Sequence, residues 1–470
     1  MENSSGGGLF LSDIAARDIA VPDITVIGGG LAGSEAAWQL AERGFRVRLY
    51  EMRPFVQTPA HGTGRLAEVV CSNSFGGEGE ESAAGILKAE LALGRSLILE
   101  CARAARVPAG GALAVDRDRF AERVTARVES HPRVELVREE AAGLPEAGLC
   151  IAATGPLTSS AMAEALRAKI GKDYLSFFDA VAPIVTRESV DMEKAYAAGR
   201  YGRGSDYLNC PLNKEEYLAF YGFLTRAERA RPHEFERGMR FGKDSWFEGC
   251  MPIEEMASRG TDTLRFGPMK PVGLPDPRTG REPYAAVQLR QDNSEGTLLN
   301  LVGFQTGLKW GEQARLIRMI PGLENADIVR FGVMHRNIYV NAPAVLDSHL
   351  RLRNGEGRVF LAGQITGVEG YMESTAMGLA AGVNAARLLQ GRPLPLWPRE
   401  TAIGSLLHYL QDSGGDEKGR KNFQPMNMNL GLFPAFPQKI RDKKQKARMF
   451  YERAAAASRA FWEAGENPGA

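Results

Sequence analysis

Ile24-Thr-Val-Ile27 is a short apolar run, followed at once by Gly28-Gly29-Gly30 and then by Leu31-Ala32-Gly33-Ser-Glu-Ala-Ala-Trp. The pattern predicts a buried strand, a tight turn and an amphipathic helix. Arg46-Val-Arg-Leu-Tyr predicts a second strand ending at Glu51, so residues 23–52 read as one βαβ unit. From Arg53 to Gly79 glycine and proline punctuate a stretch with no clear period, and a loop of that length inside a compact domain is usually functional. Helical periodicity returns from Ser82 to Cys101 and again from Asp116 to Ser130; Val134–Val137 and Gly148–Ala153 predict further strands.

Near Phe178 the texture changes. Residues 180–300 are rich in aromatics, charges, glycine and proline and lack alternating βα units, which predicts an inserted α+β domain. Helices are expected at 214–225 and 227–240, with a sheet near Tyr284–Arg290. The first texture resumes at Val359-Phe-Leu-Ala-Gly363, followed by a helix over Glu373–Leu389. Beyond 400, two helices flank a Pro/Asn/Met-rich linker at 422–437. The expected organisation is an extension at 1–20, a discontinuous first domain at 21–180 and 301–470, and an insert at 181–300.

Composition narrows the class without naming a function. The 470 residues carry a net charge of +1, so a nucleic acid partner would have to be met by a local patch. Five scattered cysteines without a CxxC pair argue for a reducing compartment, and against disulfides or a zinc site. No apolar run reaches membrane-spanning length, and residues 1–20 lack the basic start and long apolar core of a signal peptide. The expected location is the cytoplasm.

The glycine turn predicts dinucleotide binding. Gly28 makes the turn, Gly30 admits a pyrophosphate to the backbone, and Gly33 lets the helix pack against the strand. The residues between, Gly29, Leu31 and Ala32, present N–H groups of the helix start to the phosphates. Glu51 stands where an acid hydrogen-bonds the adenosine ribose. Two more glycine endings, Thr154-Gly155 and Gly363-Gln364, favour FAD over NAD, although many such flavoproteins have an acid where this chain has Gln364. The fold class is therefore α/β: a Rossmann-like FAD-binding domain of the two-glycine-motif type, discontinuous, with an inserted α+β domain. A helix starting near Glu373 would point its N-terminal dipole at the flavin ring.

Several segments carry a resemblance. Ala67-Glu-Val-Val-Cys71-Ser-Asn-Ser-Phe, Phe247-Glu-Gly-Cys250-Met-Pro-Ile-Glu-Glu-Met and Phe266-Gly-Pro-Met-Lys-Pro-Val-Gly-Leu are similar to the folate/FAD-dependent tRNA (uracil-5-)-methyltransferases (TrmFO). So are Val287-Gln-Leu-Arg-Gln-Asp-Asn, Gly303-Phe-Gln-Thr-Gly-Leu-Lys-Trp-Gly-Glu and Gly363-Gln-Ile-Thr-Gly-Val-Glu-Gly-Tyr371. The likeness runs from about residue 22 to beyond 440; a more distant one extends to flavoproteins that modify wobble uridines in tRNA.

The resemblance implies methylation of the T-loop uridine, position 54, of tRNA. Carbon would come from 5,10-methylenetetrahydrofolate and electrons from NADH or NADPH through FAD. It also implies that Cys71 and Cys250 are the two functional cysteines. A thiolate adding to uracil C6 turns C5 into a nucleophile, and a base must then remove the C5 proton. Cys71 is favoured for the attack and Cys250 for the proton transfer, with the reverse left open. Cys250 lies just before a helix start with Pro252 at its first turn, where a thiol pKa is depressed. Cys101, Cys150 and Cys210 read as buried structural thiols. Tyr371 reads either as a ring stacked on the flavin or folate or as an ordinary half-buried tyrosine.

Between 418 and 453 the chain holds Lys418, Arg420, Lys421, Lys439, Arg441, Lys443, Lys444, Lys446, Arg448 and Arg453 against Asp442 and Glu452, a local net charge of +8. Interleaved Phe423, Phe433, Phe436, Phe450 and Tyr451 complete the expected footprint of an RNA site. The alternative readings are the same chemistry on rRNA, a flavin oxidoreductase for a small substrate, or an RNA-binding protein with structural FAD. No stable protein partner is implied; monomer and homodimer stay open.

Overall fold

The computed structural model describes residues 22–464, apart from 59, 172–173, 181, 231–250, 333, 355–356, 413–422 and 439. Ile24–Ile27 is the middle strand of a five-stranded parallel sheet. Val47–Tyr50 and Val134–Val137 lie on one side of it, and Leu149–Ala152 and Val359–Leu361 on the other. The middle strand is almost wholly buried, as its unbroken apolar run requires. The helix Leu31–Glu42 returns the chain to Val47, and against it packs the helix Tyr371–Leu389. Small residues allow that approach: a Cβ on Gly378 would stand 2.2 Å from the carbonyl oxygen of Ala32.

The helix expected over Ser82–Cys101 is two helices, Ala83–Leu93 and Leu97–Ala104. The break is at Arg95, whose φ is +52°. Buried Glu35 fixes it by accepting from Ser96 Oγ at 2.8 Å and Ile98 N at 3.1 Å, so a carboxyl group from another helix satisfies the new N-terminus. Glu90 does the same for the helix Ala402–Asp412, accepting from Ala402 N and Ile403 N at 2.6 and 2.9 Å. The helices Arg117–Ser130 and Lys214–Leu224 form as expected, capped by Asp116 and Asn213.

The insert hangs from a ribbon in which Tyr174–Ala180 pairs antiparallel with Met334–Val340. Beyond the ribbon lies a six-stranded antiparallel sheet, in the order Tyr196–Ala197, Tyr207–Leu212, Ala285–Gln291, Leu298–Leu301, Ile184–Thr186, Ile328–Arg330. A separate apolar core joins its face to Tyr217, Phe220, Leu316 and Ile320. The segment expected to end at 300 therefore continues to Arg330, both in strand pairing and in core. The helix expected at 227–240 does not start in its described part: Arg229 forms a bridge with Leu308, and 231–240 lie outside the described residues. So does the extension at 1–20.

Candidate functional site

Four chain crossings at the carboxyl ends of the parallel strands make the walls of one cavity of about 430 Å³. Gly28 and Gly30 follow the middle strand, Glu51 follows its neighbour, Thr154 and Gly155 follow the strand on the other side, and Gly363 and Gln364 follow the last. Leu31, Ala32, Cys71 and Tyr371 also line it. This is the crevice where a parallel sheet reverses its strand order, the usual ligand position in such folds.

The glycine turn has separate jobs. Gly28 has φ +99°, and a Cβ there would lie 2.5 Å from the carbonyl oxygen of Ala153. Gly33 is behind the cavity, where a Cβ would come within 1.8 Å of the Gly28 oxygen. Gly29 is behind it too, its N–H donating to Glu51 at 2.9 Å. Gly30 faces open space, with no atom within 4 Å of a Cβ position, and no side chain caps the helix it starts. The unpaired N–H groups of that helix start, beside an open glycine, fit the pyrophosphate of a dinucleotide.

Glu51 is buried and held by three donors of Arg53, namely N, Nε and Nη2, besides Gly29 N. Burial raises its pKa, but the hydrogen bonds and charge of Arg53 prevail and hold it below the usual carboxylate range. Gln364, where an acid is common, donates at 2.6 Å to Glu369, so an acidic group stands beside it after all. The helix expected from Glu373 starts two residues earlier, at Tyr371, and Gly370 to Ser374 at its N-terminus face the cavity.

The loop at 53–79 supplies much of the remaining wall, including Thr58, His61, Glu68 and Val70 to Ser72. Cys71 is half-buried, its Sγ 3.0 Å from Tyr371 Oη. Arginines clamp the chain on both sides, one through backbone carbonyls and the other through side chains. Arg117 Nη1 donates to the carbonyls of Val69 and Val70 at 2.7 and 3.1 Å. Arg290 donates to Ser72 Oγ at 2.9 Å and Asn73 Oδ1 at 3.0 Å. The Ala67–Phe75 and Val287–Asn293 segments, both part of the family resemblance, thus meet here. Arg117 gave no signal, because an arginine after a helix cap looks like any solvated charge.

Tyr371 packs its ring on Phe75, centroids 5.3 Å apart, and spends its hydroxyl on the Cys71 segment. Cys101, Cys150 and Cys210 are buried as expected, each thiol pushed up to about 12 by burial. Cys250 lies outside the described residues. The helix after it is Ile253–Ser258, with Pro252 as its N-cap and not its first residue. Its Glu254 binds Thr306 Oγ1 and Gly307 N at 2.9 and 2.7 Å, tying this segment to the one that contains Trp310.

The basic tail is split. Arg441, Lys443, Lys444, Lys446 and Arg448 are exposed at the start of the helix Lys443–Glu463; Lys418, Arg420, Lys421 and Lys439 lie outside the described residues. The aromatics do not form a base-stacking surface. Phe423, Phe433 and Phe450 are buried in the main core, Phe436 and Tyr451 pack against it, and Arg453 covers Phe436 at 4.4 Å. A helix interleaving aromatics with lysines uses the former to dock its apolar face.

No helix among the described residues is long and apolar enough to cross a membrane. Residues 23–393 match the family described as Glucose inhibited division protein A. The methylenetetrahydrofolate–tRNA-(uracil-5-)-methyltransferase TrmFO of Moorella thermoacetica is 58% identical over 432 residues, which cover 92% of this chain and 96% of the relative. The protein of that name from Acetivibrio thermocellus is 55% identical over 424 residues, 90% and 94% of the two chains. Among solved structures, Aquifex aeolicus GidA shares the fold, with a TM-score of 0.66 at 16% identity over 94% of this chain and 73% of that one.

Proposed function

The chain belongs to the Glucose inhibited division protein A family and, within it, to the methylenetetrahydrofolate–tRNA-(uracil-5-)-methyltransferases, and from that premise we propose how its residues serve the reaction. It transfers a one-carbon unit from 5,10-methylenetetrahydrofolate to C5 of a tRNA uridine. In our reading the uridine is position 54 of the T-loop, the reductant is NADH or NADPH, and the work is done in the cytoplasm. The observation that carries the reading is the thiol of Cys71 on the wall of the cavity that the glycine turn opens.

FAD, when bound, supplies the two electrons that reduce the transferred carbon to a methyl group. The residues that would hold it are Gly30, Leu31 and Ala32 at the phosphates, with Gly28, Gly29 and Gly33 shaping the turn behind them, Glu51 at the ribose, and Thr154, Gly155, Gly363 and Gln364 along the remainder. Cys71, as thiolate, adds to uracil C6, and the C5–C6 pair becomes nucleophilic at C5. Cys250 takes the C5 proton once the new bond has formed, and tetrahydrofolate leaves with the electrons of its N–CH2 bond, giving an exocyclic methylene at C5. The two-electron reduction of that methylene to methyl expels Cys71 as the C5–C6 double bond returns. The uridine must leave its stack to reach a half-buried thiol. Exposed lysines of the helix Lys443–Glu463 support tRNA phosphates.

Incubation with unmodified tRNA, methylenetetrahydrofolate and NADH tests this. 5-Methyluridine in the T-loop is the expected product. A flavin that NADH reduces, with no modified RNA, would overturn the reading in favour of a small-substrate oxidoreductase; product in rRNA alone would move the substrate.

A further inference from the structure

Tyr371 Oη accepts hydrogen bonds from two backbone N–H groups, that of Cys71 at 3.1 Å and that of Ser72 at 3.2 Å. A phenol oxygen has two acceptor positions and one proton. With both positions used, the contact between Oη and Cys71 Sγ at 3.0 Å can run in one direction only: the phenol donates and the sulfur accepts. A neutral thiol is a weak acceptor, whereas a thiolate is a strong one, and the short distance suits a charge-assisted bond.

The surroundings agree in sign. Arg117 is beside the pair, close enough for Cys71 and Tyr371 both to act on its charge. It is tied to Asp292 through Nε, while its buried Nη2 has no hydrogen-bond partner among the described residues. Arg290 reaches Ser72, and Arg330 shares the neighbourhood of Arg117, Tyr371, Asp292 and Glu68. Arg117 is thus a cation on which the sulfur acts, Arg290 holds the next residue, and Arg330 lies beyond Arg117. Burial, and then the neighbouring Cys71, push the Tyr371 phenol well above its ordinary range, so it keeps the proton that it donates.

We propose that Tyr371 is a positioning residue that holds Cys71 as a thiolate in the resting enzyme, with Arg117 as the counter-charge behind the pair. The thiol proton has gone to solvent, and no covalent bond changes. The role of that thiolate in turnover rests on the reading of Cys71 as the group that attacks uracil C6.

The test is alkylation of the FAD-loaded protein by iodoacetamide, read at each cysteine by mass spectrometry from mildly acid to mildly alkaline pH. Tyr371→Phe keeps the ring on Phe75 and removes the donor. Its Cys71 should alkylate about tenfold more slowly at neutral pH, with the profile moved up by about one unit. Arg117→Gln should move it the same way, and Arg117→Lys should restore most of the reactivity. An unchanged Cys71 profile in Tyr371→Phe overturns the proposal. So does an equal shift at Cys101, Cys150 and Cys210, which would report loosened packing. Alkylation needs neither RNA nor folate. If Cys71→Ala still methylates tRNA while Tyr371→Phe shifts alkylation, the reading of the nucleophile fails and this inference stands.

Discussion

Arg117 donates from Nε to both carboxylate oxygens of Asp292, at 3.2 and 3.0 Å, and so joins the glycine-turn domain to the insert beside Cys71. Their side chains are 12% and 4% exposed, so each charge depends on the other for solvation. Asp292→Asn leaves the arginine buried without its counter-ion. About 3 kcal/mol of destabilisation is expected, seen as a lower melting temperature and earlier flavin release on heating.

Cys71→Ala and Cys250→Ala should each abolish tRNA methylation while leaving FAD bound, because neither thiol belongs to the glycine cradle. Flavin absorbance and nucleoside analysis of the same samples separate the two effects. Full activity in either variant removes that cysteine from the mechanism.

The glycine turn permits a sharper contrast. Gly33→Ala forces a Cβ to 1.8 Å from the Gly28 oxygen, so the variant should be destabilised by about 3 kcal/mol or more, and FAD should be lost with it. Gly30→Ala meets no protein atom within 4 Å, so the apoprotein should melt as the parent does while FAD binds about tenfold or more weakly. Equal FAD titrations for Gly30→Ala and the parent would remove the pyrophosphate from this position.

Two buried carboxyls give the stability a pH slope of defined sign. Burial raises Glu90 to about 8, against the two helix N–H groups that favour its charge, and raises Glu35 to about 7. Between an ordinary carboxyl pKa near 4.5 and these values, the unfolded chain has released the protons that the folded chain retains. Stability from these groups therefore falls as pH rises through that window, and levels off above about 8. Melting temperatures across the window should show the decline, and Glu90→Gln should make it shallower by the Glu90 share while the Glu35 share remains. A slope that Glu90→Gln leaves intact would assign it to other groups.

Lys443→Glu with Lys444→Glu should weaken tRNA binding and reduce its salt dependence by about one unit of log–log slope for each phosphate that these lysines neutralise. Reduction of FAD by NADH should not change. Binding assays at two salt concentrations check the first, and anaerobic bleaching the second.

What could be read from the sequence was local. The Gly28–Gly33 turn needs only neighbouring residues and a strand behind it, and so do the capped helices at Arg117 and Lys214. The break at Arg95 was hidden because its cause, the carboxyl group of Glu35, is remote in sequence. The extent of the insert was hidden similarly: Ile328–Arg330 becomes a strand only by lying beside Ile184–Val185. At the site, the cysteine segment and the Arg290 segment were visible separately, but not the clamp between them. The aromatics of the tail misled because burial, which sequence spacing alone does not decide, took them into the core.

The antiparallel ribbon places Ala180 opposite Met334, so the chain enters and leaves the insert at one point. An inserted unit with adjoining ends can grow, shrink or be exchanged without stretching the host, since neither end has to move. The order of the five parallel strands would survive a short turn joining the ribbon's two ends as a hairpin. Such an excised protein would keep the glycine cradle and the strand ends around it, but would have no Arg290 or Asp292 beside Cys71. An exchanged insert would therefore have to bring its own equivalents of Arg290 and Asp292 to keep the Cys71 segment braced.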